Sequence, residues 1–158
     1  MTDTQQPGMS FHRRGVAAAP ERAVMLRHEF SDWLHHHFVL DPAKASEIVL
    51  AVNEALANAA EYAYADATGS GVMHMHAGYD QVPDVLTVTV TDEGSWRPHD
   101  VPAVDPARGR GIPLMHALTD RAVIDFSPSG TQVCLQWDHI GPPTAGPARG
   151  QDCGNRTT

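Results

Sequence analysis

The chain has 158 residues and carries 11 basic and 19 acidic side chains, a formal net charge of −8 with histidine neutral. That length suits one domain on one core, and 42% apolar with 19% charged residues excludes wholesale disorder and fibrous architectures. The acidic balance, with no local basic patch, argues against direct nucleic-acid binding, and neither an apolar run of the roughly 20 residues that cross a bilayer nor a secretory-signal pattern is present, so the expected location is the cytoplasm without a membrane partner.

In chain order, residues 1–8 are polar and contain Pro7 and Gly8, which predicts a disordered end before an edge strand over 9–16. Residues 20–37 place Val24, Leu26, Phe30, Trp33 and Leu34 mostly at three- and four-residue steps, the period of an amphipathic helix that opens on Pro20. Asp41-Pro42 reads as an N-cap and first helical residue of a long second helix, which ends before Thr68-Gly69-Ser70-Gly71. Residues 72–79 and 85–91 are rich in β-branched side chains and predict an antiparallel hairpin. In its second strand Leu86, Val88 and Val90 share an apolar face, while Val85, Thr87, Thr89 and Thr91 share the other.

Residues 92–109 carry Gly94, Pro98, Pro102 and Pro106 and read as a long loop, a type that is usually functional in a compact domain. A short helix over 111–121 and a hairpin of 122–126 with 131–138 complete the domain, whose predicted bounds are 9–139. Beyond it, 140–158 read as a disordered Gly/Pro-rich tail.

Four groups of residues carry chemistry. Glu54 and Asn58 are one helical turn apart and border the apolar stripe of Val49, Val52, Ala55, Leu56 and Ala59, so they need water or a ligand if they turn inward. Taken alone, that pair also reads as a solvated helix face. Asp92-Glu93-Gly94 closes a strand with a carboxylate beside a glycine that admits a flat ligand. Arg108-Gly109-Arg110-Gly111-Ile112 precedes a helix, where free amides favour an anion, and Gly130-Thr131 opens the last strand. The phosphate-loop Gly-Lys-Ser/Thr pattern is absent, and the glycines follow a Pro-rich loop, which disfavours a dinucleotide fingerprint.

In this order, Glu-x-x-x-Asn, Asp-x-Gly, Gly-x-Gly and Gly-Thr resemble the N, G1, G2 and G3 boxes of the GHKL ATPase superfamily, whose nucleotide site is the Bergerat fold. The stretches LAVNEALANAAEYAY, VTDEGSW, GRGIPLM and GTQVCLQW resemble the small bacterial anti-sigma-factor serine/threonine kinases over about residues 20–138. The resemblance implies an α/β (α+β) two-layer sandwich: a mixed, mainly antiparallel sheet with helices on one face. It implies ATP and Mg²⁺ as cofactors, Asn58 holding the metal, and Glu54 accepting or orienting the proton of an attacking hydroxyl. It implies Asp92 on the adenine amine, Gly94 making room for the ring, and Thr131 supporting Asp92 and water. Gly109, Gly111 and neighbouring Ile112 would form the phosphate lid, with Arg108 or Arg110 adding charge. Where the family commonly has histidine after the N-box run, Tyr62 stands here.

The implied partners are a sigma factor and a STAS-type anti-anti-sigma protein, and the resemblance also allows a homodimer. Two further readings stay beside the kinase: a nucleotide-binding regulatory module that sequesters a partner without phosphoryl transfer, and a detached histidine-kinase catalytic domain. No phosphoacceptor-helix segment precedes residue 20, which counts against the last. His35, His36 and His37 point in different directions and cannot share one ion, while His74 and His76 offer half a metal site on one strand face. Cys134 reads as a small core residue and Cys153 as a tail thiol, with no disulfide framework.

Overall fold

The computed structural model describes residues 10–61, 71–81, 84–94 and 111–141. Among them the elements follow in the order β1 (Ser10–Ala17), α1 (Pro20–His37), α2 (Pro42–Glu61), β2 (Val72–Asp80), β3 (Val85–Asp92), α3 (Gly111–Leu118), β4 (Arg121–Ser127) and β5 (Gly130–Trp137). The predicted end at 1–8, residues 142–158 of the predicted tail 140–158, and residues 62–64 of the predicted second helix lie outside the described residues.

Helix α1 opens on Pro20, whose fixed φ suits a first turn and whose missing N–H costs nothing there. It buries Ala23, Leu26, Phe30 and Leu34 at steps of three, four and four. Val24, expected on that stripe, is 45% exposed: one residue of helix turns a side chain by about 100°, and Ala23 takes the inward place. The cap of α2 is as its sequence dictates. Asp41 Oδ2 accepts the Ala43 N–H at 3.2 Å, and the Asp41 carbonyl accepts the Ala45 N–H at 2.9 Å. The buried side of α2 is largely alanine, namely Ala45, Ala51, Ala55 and Ala59 around Ile48, Val52 and Leu56, which lets neighbouring elements approach closely.

The strands form one sheet in the order β1-β2-β3-β5-β4, and every pairing is antiparallel. The expected mixed sheet is thus corrected to an antiparallel one, and the connections explain why. Two helices separate β1 from β2, so the chain reverses three times between them, and an odd number of reversals leaves β2 running opposite to β1. The strands β3 and β4, joined across the single helix α3, do run the same way, but β5 inserts between them.

Burial alternates along the strands, so one face is covered by the helices and the other is open. Met73, Met75 and Ala77 of β2, Leu86, Val88 and Val90 of β3, and Val133, Leu135 and Trp137 of β5 face the helices and form the core. Trp137 is fully enclosed and donates its indole N–H to the Leu118 carbonyl at 2.8 Å, which satisfies an otherwise orphaned acceptor at the end of α3. Two boundaries shift. Arg121 begins β4 instead of ending the helix, and core packing continues past His139 to Ile140, 2% exposed, whose N–H meets the Asp84 carbonyl. Cys134 alternates with the core residues of β5 and lies half-buried on the open face, a correction of its expected core position.

Candidate functional site

The pattern of β3 continues one residue past its apolar set. Asp92 has the same parity as Leu86, Val88 and Val90, so it turns toward the helices and is only 3% exposed. Its Oδ1 accepts the Gly94 N–H at 2.9 Å, a two-residue turn that fixes the carboxylate's rotamer. Directly across the ladder stands Thr131, 2% exposed, whose Oγ1 is buried and has no hydrogen-bond partner among the described residues. A buried hydroxyl without a partner needs a water or a ligand to account for it.

Gly130 makes this pairing achievable. Its φ of +151° is one that L side chains rarely adopt, and a Cβ there would be driven into the Asp92 carbonyl and within 2.9 Å of the Glu93 Cα. The sequence offered Gly130 as a turn residue, but its close approach to Asp92 is visible only in the folded chain.

On α2, Asn58 is among the buried residues at 5% exposure and Glu54 is half-buried one turn earlier. Asn58 is thus out of water, and Glu54 is only partly in it. The first residue of α3, Gly111, closes on both: a Cβ on it would lie 3.2 Å from Glu54 Oε1, 3.3 Å from Asn58 Nδ2 and 3.4 Å from Asn58 Oδ1. Helix α3 therefore presents its N-terminal end to the Glu54–Asn58 pair. Ile112 beside it is half-buried and packs against the core, which anchors that end. Burial pushes the Glu54 carboxyl above its ordinary range; the neighbouring Asn53 amide pulls it partly back, and Glu61 adds a repulsion that raises it again. Asn53 was not singled out from sequence, since one-residue spacing on a helix carries no signal that two side chains meet.

The structure thus brings Glu54, Asn58 and Gly111 together, and separately Asp92, Gly94 and Thr131. Arg108, Gly109 and Arg110, with Trp96, His99 and Asp100 of the predicted loop, lie outside the described residues, as does Tyr62. A depression of about 380 Å³ opens behind Asp92 and Thr131, but its wall includes Thr91, Asp125 and Gln132 of the open face, so it lies across the sheet from Glu54.

The histidines take other roles. His74 Nδ1 accepts the Gly15 N–H at 2.9 Å and its Nε2 lies 3.1 Å from Glu93 Oε2, while His76 packs at a tilt of 52° against His12 across the strands with ring centroids 4.4 Å apart. No cluster of three or more His, Cys, Asp or Glu residues suited to a metal ion occurs among the described residues. Among them, too, no helix is long and apolar enough to cross a membrane.

An adenine nucleotide fits what is present. The orphaned Thr131 hydroxyl beside a fixed, buried carboxylate is the donor and acceptor set that an aminopurine edge with a bridging water would complete. The Asn58 side-chain oxygen is a neutral hard donor of the kind magnesium accepts. The bare Gly111 Cα leaves open a space beside it that a Cβ would occupy.

Known proteins agree on the fold. The RsbU and RsbW domains of Rv1364c from Mycobacterium tuberculosis superpose with a TM-score of 0.63 at 20% identity, covering 86% of this chain and 33% of that one. The histidine kinase domain of the blue-light activated histidine kinase from Erythrobacter litoralis EL346 superposes with a TM-score of 0.52 at 23% identity, covering 74% of this chain and 57% of that one. This chain therefore spans about a third and somewhat over half of the two structures it resembles. No curated protein matches it in sequence. The family model of the histidine kinase-like ATPase domain matches residues 16–137, which include the core positions of β2 to β5 and both halves of the site. The chain belongs to the histidine kinase-like ATPase domain family, in an α/β sandwich of the GHKL type, and that membership implies ATP as its ligand.

Proposed function

We propose that this chain is an ATP-dependent protein serine/threonine kinase of the anti-sigma type, which holds a sigma factor and phosphorylates a STAS-type anti-anti-sigma partner. The observation that carries the reading is the pairing of a half-buried Glu54, its carboxyl held above its ordinary range by burial, with a buried Asn58 against the N-terminal end of α3. A regulatory domain that only bound nucleotide would need the amide and the helix end, but would have no use for a desolvated carboxylate beside them. Likeness to an RsbW domain at 20% identity supports the fold, and the family supports ATP; the choice of protein substrate is the inference.

In this reading Asp92 and Thr131 select adenine, Gly94 gives the ring room, and Gly109, Gly111 and Ile112 shape the phosphate end with Arg108 or Arg110. Asn58 would hold a magnesium ion, which supplies charge neutralisation at the phosphates when bound. The serine hydroxyl of the partner gives its proton to Glu54, its oxygen bonds to the γ-phosphorus, and the bond from that phosphorus to the β-phosphate bridging oxygen breaks to release ADP. Because burial holds the Glu54 pKa above its ordinary value, the active carboxylate form is lost on acidification at a higher pH than for an exposed glutamate.

The test is transfer of labelled γ-phosphate from ATP to a STAS-type protein. Glu54→Gln should lower the transfer rate by about 100-fold or more while nucleotide affinity stays within a few-fold. Nucleotide binding with no transfer to any STAS partner would leave the regulatory module as the function, and absence of nucleotide binding would remove both. The same substitution removes a carboxylate whose charge burial disfavours in the folded chain, so the unfolding midpoint near neutral pH should rise slightly in Glu54→Gln.

A further inference from the structure

Helices α1 and α2 leave a groove of about 430 Å³ between their outer sides, which runs from Pro42 to Asn53, the neighbour of Glu54. Arg27, Ser31 and His35 on α1 line one wall at steps of four, and Ser46, Leu50 and Asn53 on α2 line the other at steps of four and three. These are the helical stripes left over once the core-facing positions are spent.

Two properties set this groove apart from an ordinary seam. The first is Arg27: its Nε is buried without a hydrogen-bond partner among the described residues, and no ion pair among them involves its guanidinium. Arg27 as a residue is half-buried, and a guanidinium with an unmet N–H is normally satisfied by a carboxylate or phosphate oxygen, often in a two-pronged contact. The second is charge. The ionisable groups lining the groove are Arg27 and His35, with no carboxylate among them, on a chain whose net charge is −8. His35 places Nδ1 2.8 Å from the Ser31 carbonyl, a contact in which that nitrogen is the donor, and this turns Nε2 away from the helix backbone.

The wall opposite is apolar as well as polar. Leu50 is 41% exposed at the groove, with Pro42, Ala45 and Val49 beside it. A simple anion would use the cation and leave this surface wet. A peptide segment with an aliphatic side chain near a carboxylate would use both, and the volume suits a few side chains.

From the unpaired guanidinium, the absence of carboxylates and the apolar wall, we infer that the α1–α2 groove is a docking site for an acidic peptide segment of a protein partner. Its carboxylate meets Arg27 and its aliphatic side chain covers Leu50. The inference does not depend on phosphate transfer, because docking here is measured without nucleotide and at residues other than Glu54, Asn58, Asp92 or Thr131.

The test selects a displayed library of random 12-residue peptides on the full chain, with a parallel selection on Arg27→Gln. The expected result is enrichment of sequences carrying Asp or Glu within a turn of Leu, Ile or Met, absent from the Arg27→Gln arm. A synthetic, fluorescein-labelled peptide of the leading sequence should lose at least tenfold in affinity when its carboxylate is changed to the amide. It should lose as much against Arg27→Gln, and against Ser46→Trp, which fills the groove from an exposed position. Circular dichroism melts identify a variant that fails to fold, and if Arg27→Gln does so, Ser46→Trp decides. A neutral or basic consensus, equal enrichment on Arg27→Gln, no enrichment at all, or equal binding of the amide peptide overturns the proposal. Full displacement of the peptide by 10 mM sodium acetate or phosphate would instead make this a small-anion site. A concentration-dependent dimer mass in light scattering that Ser46→Trp abolishes would assign the groove to a second copy of the chain; either result also overturns it.

Discussion

The two faces of the sheet are made from the same strands and differ only in residue parity. On the helix-covered face, Leu86, Val88 and Val90 lead to Asp92, and Trp137, Leu135 and Val133 lead to Thr131, so two polar side chains terminate apolar columns and are nearly enclosed. On the open face stand His12, His76, Thr87, Thr89 and Gln132, which are polar as well but have solvent on that side to satisfy them. A polar residue thus acquires its meaning from the column it ends. Thr91 and Asp92 are neighbours in sequence, and only Asp92 lies where a carboxylate needs a fixed partner.

Breaking the parity directly should have the largest effect. Val88→Asp puts a carboxylate into a fully enclosed column and should cost more than about 4 kcal/mol, abolishing cooperative unfolding, whereas Thr89→Asp one residue on should cost less than about 1 kcal/mol in a urea titration. Gly130→Ala tests the junction between the two columns. The new Cβ meets the Asp92 backbone at a strained φ, and a loss of about 2–3 kcal/mol with a matching loss of ATP affinity is expected by urea unfolding and calorimetric titration.

A smaller effect with opposite signs on stability and binding comes from Thr131→Val. Valine keeps the shape and removes a buried hydroxyl without a partner, so the nucleotide-free chain should gain about 1 kcal/mol while ATP binds more weakly. Unchanged stability and unchanged affinity together would show that the hydroxyl serves no ligand.

The smallest effect belongs to the open face. Burial, and then the charge of His12, hold the His76 pKa below the ordinary histidine value, so the folded chain disfavours a proton that the unfolded chain accepts. Stability contributed by neutral His76 is present above the ordinary histidine pKa and is lost as pH falls toward the lowered one. In His76→Gln, urea midpoints measured between pH 7 and pH 5 should fall less steeply than in the unmodified chain.

Much of this architecture is local and was therefore legible in the chain. Proline and aspartate mark the helix starts at Pro20 and Asp41-Pro42, β-branched alternation marks the strands, and the period of two assigns Leu86, Val88 and Val90 to one face. Even the four boxes are local, each within a few residues, and their order was enough to suggest the family that residues 16–137 match. What failed was set by through-space relations. Val24 and Cys134 went to the wrong side because apolar character alone does not fix which of two adjacent positions turns inward. The expected mixed sheet was wrong because strand order depends on β5 inserting between β3 and β4.

The sequence by itself determined the helices, the strands, the apolar stripes and the residue types that an adenine nucleotide requires, since these follow from spacing along the backbone. Tertiary structure alone decided that Gly111 closes on Glu54 and Asn58, that Gly130 presses on the Asp92 backbone, and that Arg27 faces a groove without a counter-charge. Each joins segments distant in the chain. Their distances are fixed by how whole elements pack, and no local pattern encodes a contact whose second partner belongs to another element.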